Sequence, residues 1–429
     1  MMAGPGNLPI DGERLWNDLM ALADITDPDR PYTRRSFSPL FVEGRAWLTK
    51  RFEDAGLETR IDPAGNLIGR MPGQDSSAGT IMVGSHSDTV PSGGRFDGPA
   101  GLLAALEIAR SFAASGTRLH HELEVVDFLA EEPSEFGLSC IGSRGMAGVL
   151  EPAMLGYKDP TGETLSQAIN RVGGRVAALP DVVRRDIVAF LELHIEQGVV
   201  LENRKIDAGL VTAIVGITRI EIVFTGSADH AGTTPMDMRR DAFTPAAKTA
   251  VFVEQTARDF AGRGAGLFVA TTGVVSVAPN AANVVPREAR IVIDARSENR
   301  GMMDEFLAAL KARTDQFATE SGATRPRFAL LSDTMPVTCD PGLRDILRAS
   351  AKGLALSTIE MASGAGHDAA FVARVAPAAM LFIPCRGGKS HAPEEWAEPG
   401  ALASGAAILA QAILSVDRKA ANSARAETK

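Results

Sequence analysis

The stretch Thr80–Leu129, TIMVGSHSDTVPSGGRFDGPAGLLAALEIARSFAASGTRLHHELEVVDFL, holds two short apolar runs with a helical pattern between them. Thr80–Ser85 (TIMVGS) and Leu123–Leu129 (LEVVDFL) are rich in Val, Ile and Phe and mostly apolar, as strands covered on both faces should be. Between them, Pro99–Ala114 sets Leu102, Leu103, Leu106 and Ala109 at helical spacing. A strand–helix–strand unit of this kind predicts an α/β sheet. Ala189–Leu193 (AFLEL) and Ala379–Pro384 (AMLFIP) add two more buried strands.

Leu210–Glu298 has a different texture. Ile214, Ile220, Ile222 and Phe224 alternate with smaller or polar residues, and a helical pattern follows over Asp241–Phe260. Thr272–Val277 and Arg290–Ala295 read as strands flanking a turn around Pro279–Pro286, and Asn299–Ser321 is again helical. The order β-β-α-β-β-α predicts a small α+β insert with helices on one face of its sheet. A chain of 429 residues is too long for one ordinary core, so two domains are expected. The first is built from residues 1–208 and 326–429 and the insert from 209–325, with hinges near Ala208 and Arg325.

Composition narrows the partners. Hydrophobic residues make up 45% and charged residues 23%, a soluble globular balance, and the net charge is −9. That charge, with no basic run carrying interleaved aromatics, speaks against nucleic acid. Met1–Pro9 lacks a charged region followed by an apolar one, and no apolar run approaches membrane-spanning length, so no membrane partner is expected. The tail Ala420–Lys429 is polar and expected to fray. Cys140, Cys339 and Cys385 are odd in number and scattered, which fits the cytoplasm better than a disulfide framework. With no Cys-x-x-Cys pair, a metal here has to rest on His and carboxylates.

The seven histidines are placed informatively. His86 ends the first strand, His194 ends the third, His391 follows the fourth, and the second strand runs into Glu131–Glu132. Ligand sites in open α/β sheets lie beyond the carboxyl ends of the strands. One such His is usually a hydrogen-bonded structural residue. Several strand ends delivering His or carboxylate to one place predict a metal site, because bare carboxylates there would be costly without a cation. Asp88, two residues beyond His86, is placed to hold the free imidazole N–H with its carboxylate. Asp97 lies in a glycine-rich loop, Gly93–Gly101, that reads either as a helix N-terminal turn or as a tight fold letting Asp97 bridge two ions. His120 and His121 read as surface residues.

GSHSDTVPSGGRFDG, AEEPSEFG with IGSR, ELHIEQG, GSADHAGTTPMDMRRDA, PNAANVVP, SGAGHDA and RGGKSHAPEEW occur in this order. Together they resemble the N-carbamoyl-L-amino-acid hydrolase and allantoate amidohydrolase family, within the dinuclear aminoacylase- and carboxypeptidase-like enzymes, from about Asp11 to beyond Trp396. The resemblance implies a metallopeptidase-like catalytic domain on a mixed sheet, with the insert acting as lid and dimerisation domain. It implies two divalent ions per subunit (Zn, Mn, Co or Ni), one held by His86, Asp97 and His194, the other by Asp97, Glu132 and His391. Glu131 would be the general base, taking a proton from water as it attacks. His230 would reach across a homodimer to polarise the scissile carbonyl. Asn283 would touch substrate, Arg296 clamp its carboxylate, Gln197 meet the ureido group, and Gly364 and His367 line the pocket. The implied reaction is hydrolysis of an N-carbamoyl-L-amino acid to amino acid, CO2 and ammonia. Allantoate or N-carbamoyl-β-alanine are the alternative substrates, and aminoacylase or dipeptidase activity a more distant one. Two departures stand out: Ala130 where relatives often have aspartate, and Glu135 where many have arginine.

Overall fold

The computed structural model describes residues 10–427, with side chains through Arg418; Met1–Pro9 and the last two residues of the tail lie outside the described residues. The strands are β1 (Glu58–Ile61), β2 (Leu67–Met71), β3 (Thr80–His86), β4 (Glu122–Phe128), β5 (Ile187–Ile195), β6 (Ala208–Ile214), β7 (Gly216–Thr225), β8 (Phe268–Ala278), β9 (Glu288–Ser297), β10 (Arg327–Asp333), β11 (Val337–Thr338), β12 (Thr358–Ser363) and β13 (Ala378–Ile383). They belong to two compact units. One runs through Thr212 and resumes over Cys339–Met361 and from His367 onward; the other comprises Ala213–Thr338 with Ala362–Gly366.

In the first unit the sheet runs β1-β2-β4-β3-β5-β13-β6, with β12 also on β6. β3 lies parallel to both β4 and β5, and β13 parallel to β5. β2 on β4 and β6 on β13 are antiparallel, so the sheet is mixed. Every residue of β3 and β13 is buried, which is why these strands are apolar runs rather than alternating ones. The helix Pro99–Ser115 makes the crossover from β3 to β4. Proline opens it and Gly116, in the left-handed conformation, closes it. It packs on β3, on the helix Gly12–Ala23 and on the helix Pro399–Glu427. Leu102, Leu103, Leu106 and Phe112 are buried there, each contributing roughly 1.5–3 kcal/mol. Because β3, β4, β5 and β13 are mutually parallel, their carboxyl ends open on one edge.

Three expectations need correction in this unit. Pro399–Glu427 contains a stretch, Pro399–Arg418, long and apolar enough to cross a membrane by length and composition alone. Its Leu402, Ala406, Leu409, Ala410 and Ile413 are buried in the first unit's core, the pattern of a core helix, and the helix continues through most of the tail expected to fray. His121 is buried rather than on the surface, with Nδ1 2.8 Å from Asp417 Oδ1.

The second unit is an antiparallel sheet, β10-β7-β9-β8, with the helices Phe243–Gly262 and Arg300–Glu320 packed on it. β7 and β9 alternate buried and part-exposed residues, turning Ile220, Ile222, Phe224, Ile291 and Ile293 onto Phe260, Phe306 and Leu310. The observed order is β-α-β-β-α-β. The first strand expected for the insert is β6, which pairs with β13 in the larger sheet, and the fourth strand of the small sheet is β10, beyond the expected boundary. The boundaries accordingly fall at 212 and 338 rather than 208 and 325.

Candidate metal centre

The edge where the parallel strands end gathers the predicted residues of the first unit. His86 is the last residue of β3 and His194 the penultimate one of β5. After β4, Ala130 takes a positive φ of 54° and turns the chain so that Glu131 and Glu132 follow, buried. His391 lies in the loop after β13 with φ 55°, and Gln197 follows β5 with φ 56°. Left-handed backbone is costly for residues with a Cβ and collects at functional sites. Asp97 stands just before the helix Pro99–Ser115. Its neighbour Gly98, φ 83°, has no alternative, because a Cβ there would fall 2.4 Å from His86 Cε1.

The donor atoms form two groups sharing Asp97. His86, Asp97 and His194 present ligand atoms within 4.8 Å of one another, and so do Asp97, Glu132 and His391. Asp97 divides its oxygens: Oδ1 lies 3.6 Å from His86 Nε2 and 3.2 Å from His194 Nε2, while Oδ2 lies 3.4 Å from His391 Nε2. Glu132 Oε1 is 3.1 Å from the same His391 nitrogen.

The tautomers test whether cations fit. His86 Nδ1 meets the Asp88 carbonyl at 3.0 Å and His194 Nδ1 meets the Ile195 carbonyl at 2.9 Å. A carbonyl only accepts, so each Nδ1 carries the proton and donates. In the neutral ring Nε2 is then a lone pair, and both Nε2 atoms are buried without a hydrogen-bond partner, facing a carboxylate. Lone pair against carboxylate is the arrangement a cation resolves. The donors are nitrogen and oxygen without thiolate, a set that suits Zn, Mn, Co or Ni.

Electrostatics agree. For Asp97, burial favours the neutral acid, yet His194, His391 and His86 together hold it well below the usual range. Burial opposes charge on His86 too, but Glu131, Asp88 and Asp97 raise it well above the ordinary imidazole value. Hydrogen bonds to Asp97 and Glu132 push His391 to about 11. Burial, helped by the charges of Glu132, Asp368 and Asp88 against that of His86, pushes Glu131 well above the usual carboxylate range. The carboxylates are thus crowded enough to favour positive charge beside them.

Asp88 meets His86 twice and has a further role. Its carbonyl accepts from His86 Nδ1 at 3.0 Å, and its carboxylate Oδ1 lies 3.6 Å from the same nitrogen. The carboxylate takes the backbone N–H groups of Glu131 and Glu132, each at 3.2 Å, and so fixes the pair. Glu131 is left less engaged than Glu132: Oε2 is 3.7 Å from His86 Nε2, and Oε1 accepts only the Cys140 thiol at 3.6 Å.

Gln197 donates from Nε2 to Asp97 Oδ2 at 2.6 Å, and its Oε1 is buried without a partner. His367 is 2% exposed and packed edge-on to His194 at 4.6 Å between ring centres. Burial and the neighbouring His194 hold its pKa well below the ordinary value. In the second unit, Ala231 N donates to Asn283 O, which joins the His230 and Asn283 segments. His230 is exposed, and its Nδ1 accepts from the N–H groups of Gly232 and Thr233, leaving Nε2 as the N–H donor. Arg296 donates to Asp294 Oδ1 at 2.7 Å and to the Gly364 carbonyl at 2.9 Å. Sequence reasoning missed Ser390 and Glu395, which reach Asp97. Their only signal was membership of the quoted stretch around His391.

Residues 82–415 match the model of peptidase family M20/M25/M40. The chain is 36% identical over 403 residues to an N-carbamoyl-L-amino acid amidohydrolase of Geobacillus stearothermophilus, covering 93% of this chain and 97% of the relative. It is 34% identical over 411 residues to a ureidoglycolate hydrolase of Oryza sativa subsp. japonica, covering 94% and 84%. A crystal structure of an amidase of the hydantoinase/carbamoylase family from Burkholderia multivorans superposes with a TM-score of 0.88 at 34% identity, covering 95% of this chain and 98% of that one. The chain therefore belongs to peptidase family M20/M25/M40, among its amidohydrolases of non-peptide C–N bonds.

Proposed function

We propose that the protein hydrolyses the carbamoyl C–N bond of an N-carbamoyl-L-amino acid, with two divalent ions held by His86, Asp97 and His194 and by Asp97, Glu132 and His391. The observation that carries the substrate class is Gln197. Its buried Oε1 lacks a partner beside Asp97, and a buried acceptor is costly until a donor arrives. A ureido group brings N–H donors on both sides of its carbonyl, whereas an N-acyl group offers carbon on one side. Divalent ions held there would supply Lewis acidity, lowering the pKa of a bound water. Glu131 takes the proton of the attacking water and returns it to the departing nitrogen. Asp88 holds Glu131 in place through its backbone. Arg296 spends Nε and one terminal nitrogen on Asp294 and Gly364, which fixes its plane and offers Nη2 to the substrate carboxylate.

The active form in this reading is a cytoplasmic homodimer in which His230 of one copy donates its Nε2–H to the substrate carbonyl in the other. The three free, buried cysteines suit that compartment. Release of ammonia from a substrate panel tests the substrate class, using N-carbamoyl-L-amino acids, N-carbamoyl-β-alanine, allantoate, ureidoglycolate and N-acetyl amino acids. The expected result is turnover of the first class at a kcat/KM at least tenfold above the rest. Preference for allantoate or ureidoglycolate, or turnover of the acetyl compounds, would overturn it.

A further inference from the structure

Glu395 is fully buried and belongs to none of the metal groups, yet three donors converge on it. Oε1 accepts from the backbone N–H groups of Phe96 at 2.7 Å and Asp97 at 3.0 Å. Oε2 lies 2.9 Å from the Ser390 hydroxyl, and that same hydroxyl is hydrogen-bonded to Asp97 Oδ2, the oxygen that faces His391. The loop is shaped around this carboxylate: a Cβ on Gly94 would fall 1.9 Å from it. Trp396, next in the chain, packs on Phe96 and Trp16, so the segment is anchored immediately beyond Glu395.

A serine hydroxyl has one proton to donate and two carboxylate oxygens within reach here. Asp97 Oδ2 already accepts from Gln197 Nε2 at 2.6 Å, so while Ser390 also donates to it both of its lone pairs are spent on hydrogen bonds. Turned toward Glu395 Oε2, the hydroxyl stays satisfied and one lone pair of Asp97 Oδ2 is released. We propose that Glu395 is a positioning residue for the Asp97–Glu132–His391 group, the alternative acceptor that draws the Ser390 hydroxyl off Asp97 and so makes that oxygen available to a cation. Asp97 Oδ1, which faces His86 and His194, is untouched by Ser390 and is left out of this control. This role rests on the two-ion reading above.

Glu395→Gln separates it from plain loop support. The glutamine oxygen still caps the Phe96 and Asp97 N–H groups, while its amide nitrogen replaces the acceptor facing Ser390. The full-length protein is loaded with Co2+, challenged with graded chelator, and its retained cobalt measured. His194→Ala and His391→Ala identify which of the two ions each group holds. Glu395→Gln is expected to weaken the ion lost in His391→Ala by about 10–100-fold, the usual scale for residues that orient ligands, and to leave the other unchanged. Adding Ser390→Ala to Glu395→Gln should recover most of that loss, since the hydroxyl with nowhere else to donate is gone. Unchanged retention in Glu395→Gln, equal weakening of both ions, or no recovery in the double variant would each overturn the proposal. A wild-type protein that does not hold two cobalt ions would instead overturn the metal reading on which it rests.

Discussion

Glu131 and Glu132 are successive residues with both backbone N–H groups on one carboxylate, that of Asp88, and this common anchor sends their side chains to different partners. Glu132 reaches His391, whereas Glu131 is near His86 and otherwise meets only a weak thiol donor. A ligand and a base need that difference: one carboxylate committed to a cation, the other available for a proton. Glu131→Gln is therefore expected to keep both ions and lose about 10²–10⁴-fold in kcat, the scale of a general base. Glu132→Gln should lose an ion as well as activity. Metal content measured beside kcat checks both, and exchanged phenotypes would shift the assignment by one residue. Most of the donors were legible in the sequence because His86 and His194 end apolar runs and Glu132 and His391 follow such runs, whereas Asp97 lies in a glycine-rich loop open to two readings and rested on the family resemblance. The parts played by Asp88 and Glu395 were not, since they depend on hydrogen bonds to residues 43–44 and 298–299 positions away that leave no local pattern.

At the scale of elements, the site depends on how closely the helix Pro99–Ser115 approaches the sheet, because that helix follows directly on Asp97. Gly101 sets the approach: a Cβ there would lie 2.0 Å from the Leu193 carbonyl oxygen and 3.0 Å from Ser85 Cβ. β5 cannot yield, paired as it is with β3 on one side and β13 on the other. Gly101→Ala must push the helix outward, at a cost of about 1–3 kcal/mol for overpacking. The expected outcome is a melting temperature several degrees lower together with loss of bound metal, since Asp97 moves with the helix. Gly400→Ala, at a helical glycine with open space, is the control. A Gly101→Ala protein with wild-type melting and metal content would show that the helix does not set the site. The central strands were readable because burial on both faces makes them apolar throughout. β10 was overlooked for the opposite reason: it is a largely exposed edge strand, with two exposed leucines and polar ends, recognisable only by its pairing with β7. Placing the insert's end before it followed directly.

For the whole molecule, the residues proposed to act on substrate are divided between the two units. Glu131 and Gln197 belong to the first, His230, Asn283 and Arg296 to the second. The homodimer proposed above assigns His230 to the partner's site, so each site draws Glu131 from one chain and His230 from the other. Glu131→Gln and His230→Ala should each be nearly inactive alone, while both fold and bind metal. When the two are dissociated, mixed in equal amounts and reassociated at random, about half the dimers are mixed. In each mixed dimer, one site receives both damaged residues and the other receives neither. About a quarter of wild-type activity should then return, by this counting of symmetric sites. A His230 acting within its own chain would leave one lesion in every site, and mixing would restore nothing. Differently tagged chains establish that exchange has occurred, and an inactive mixture after proven exchange would remove His230 from the partner's site.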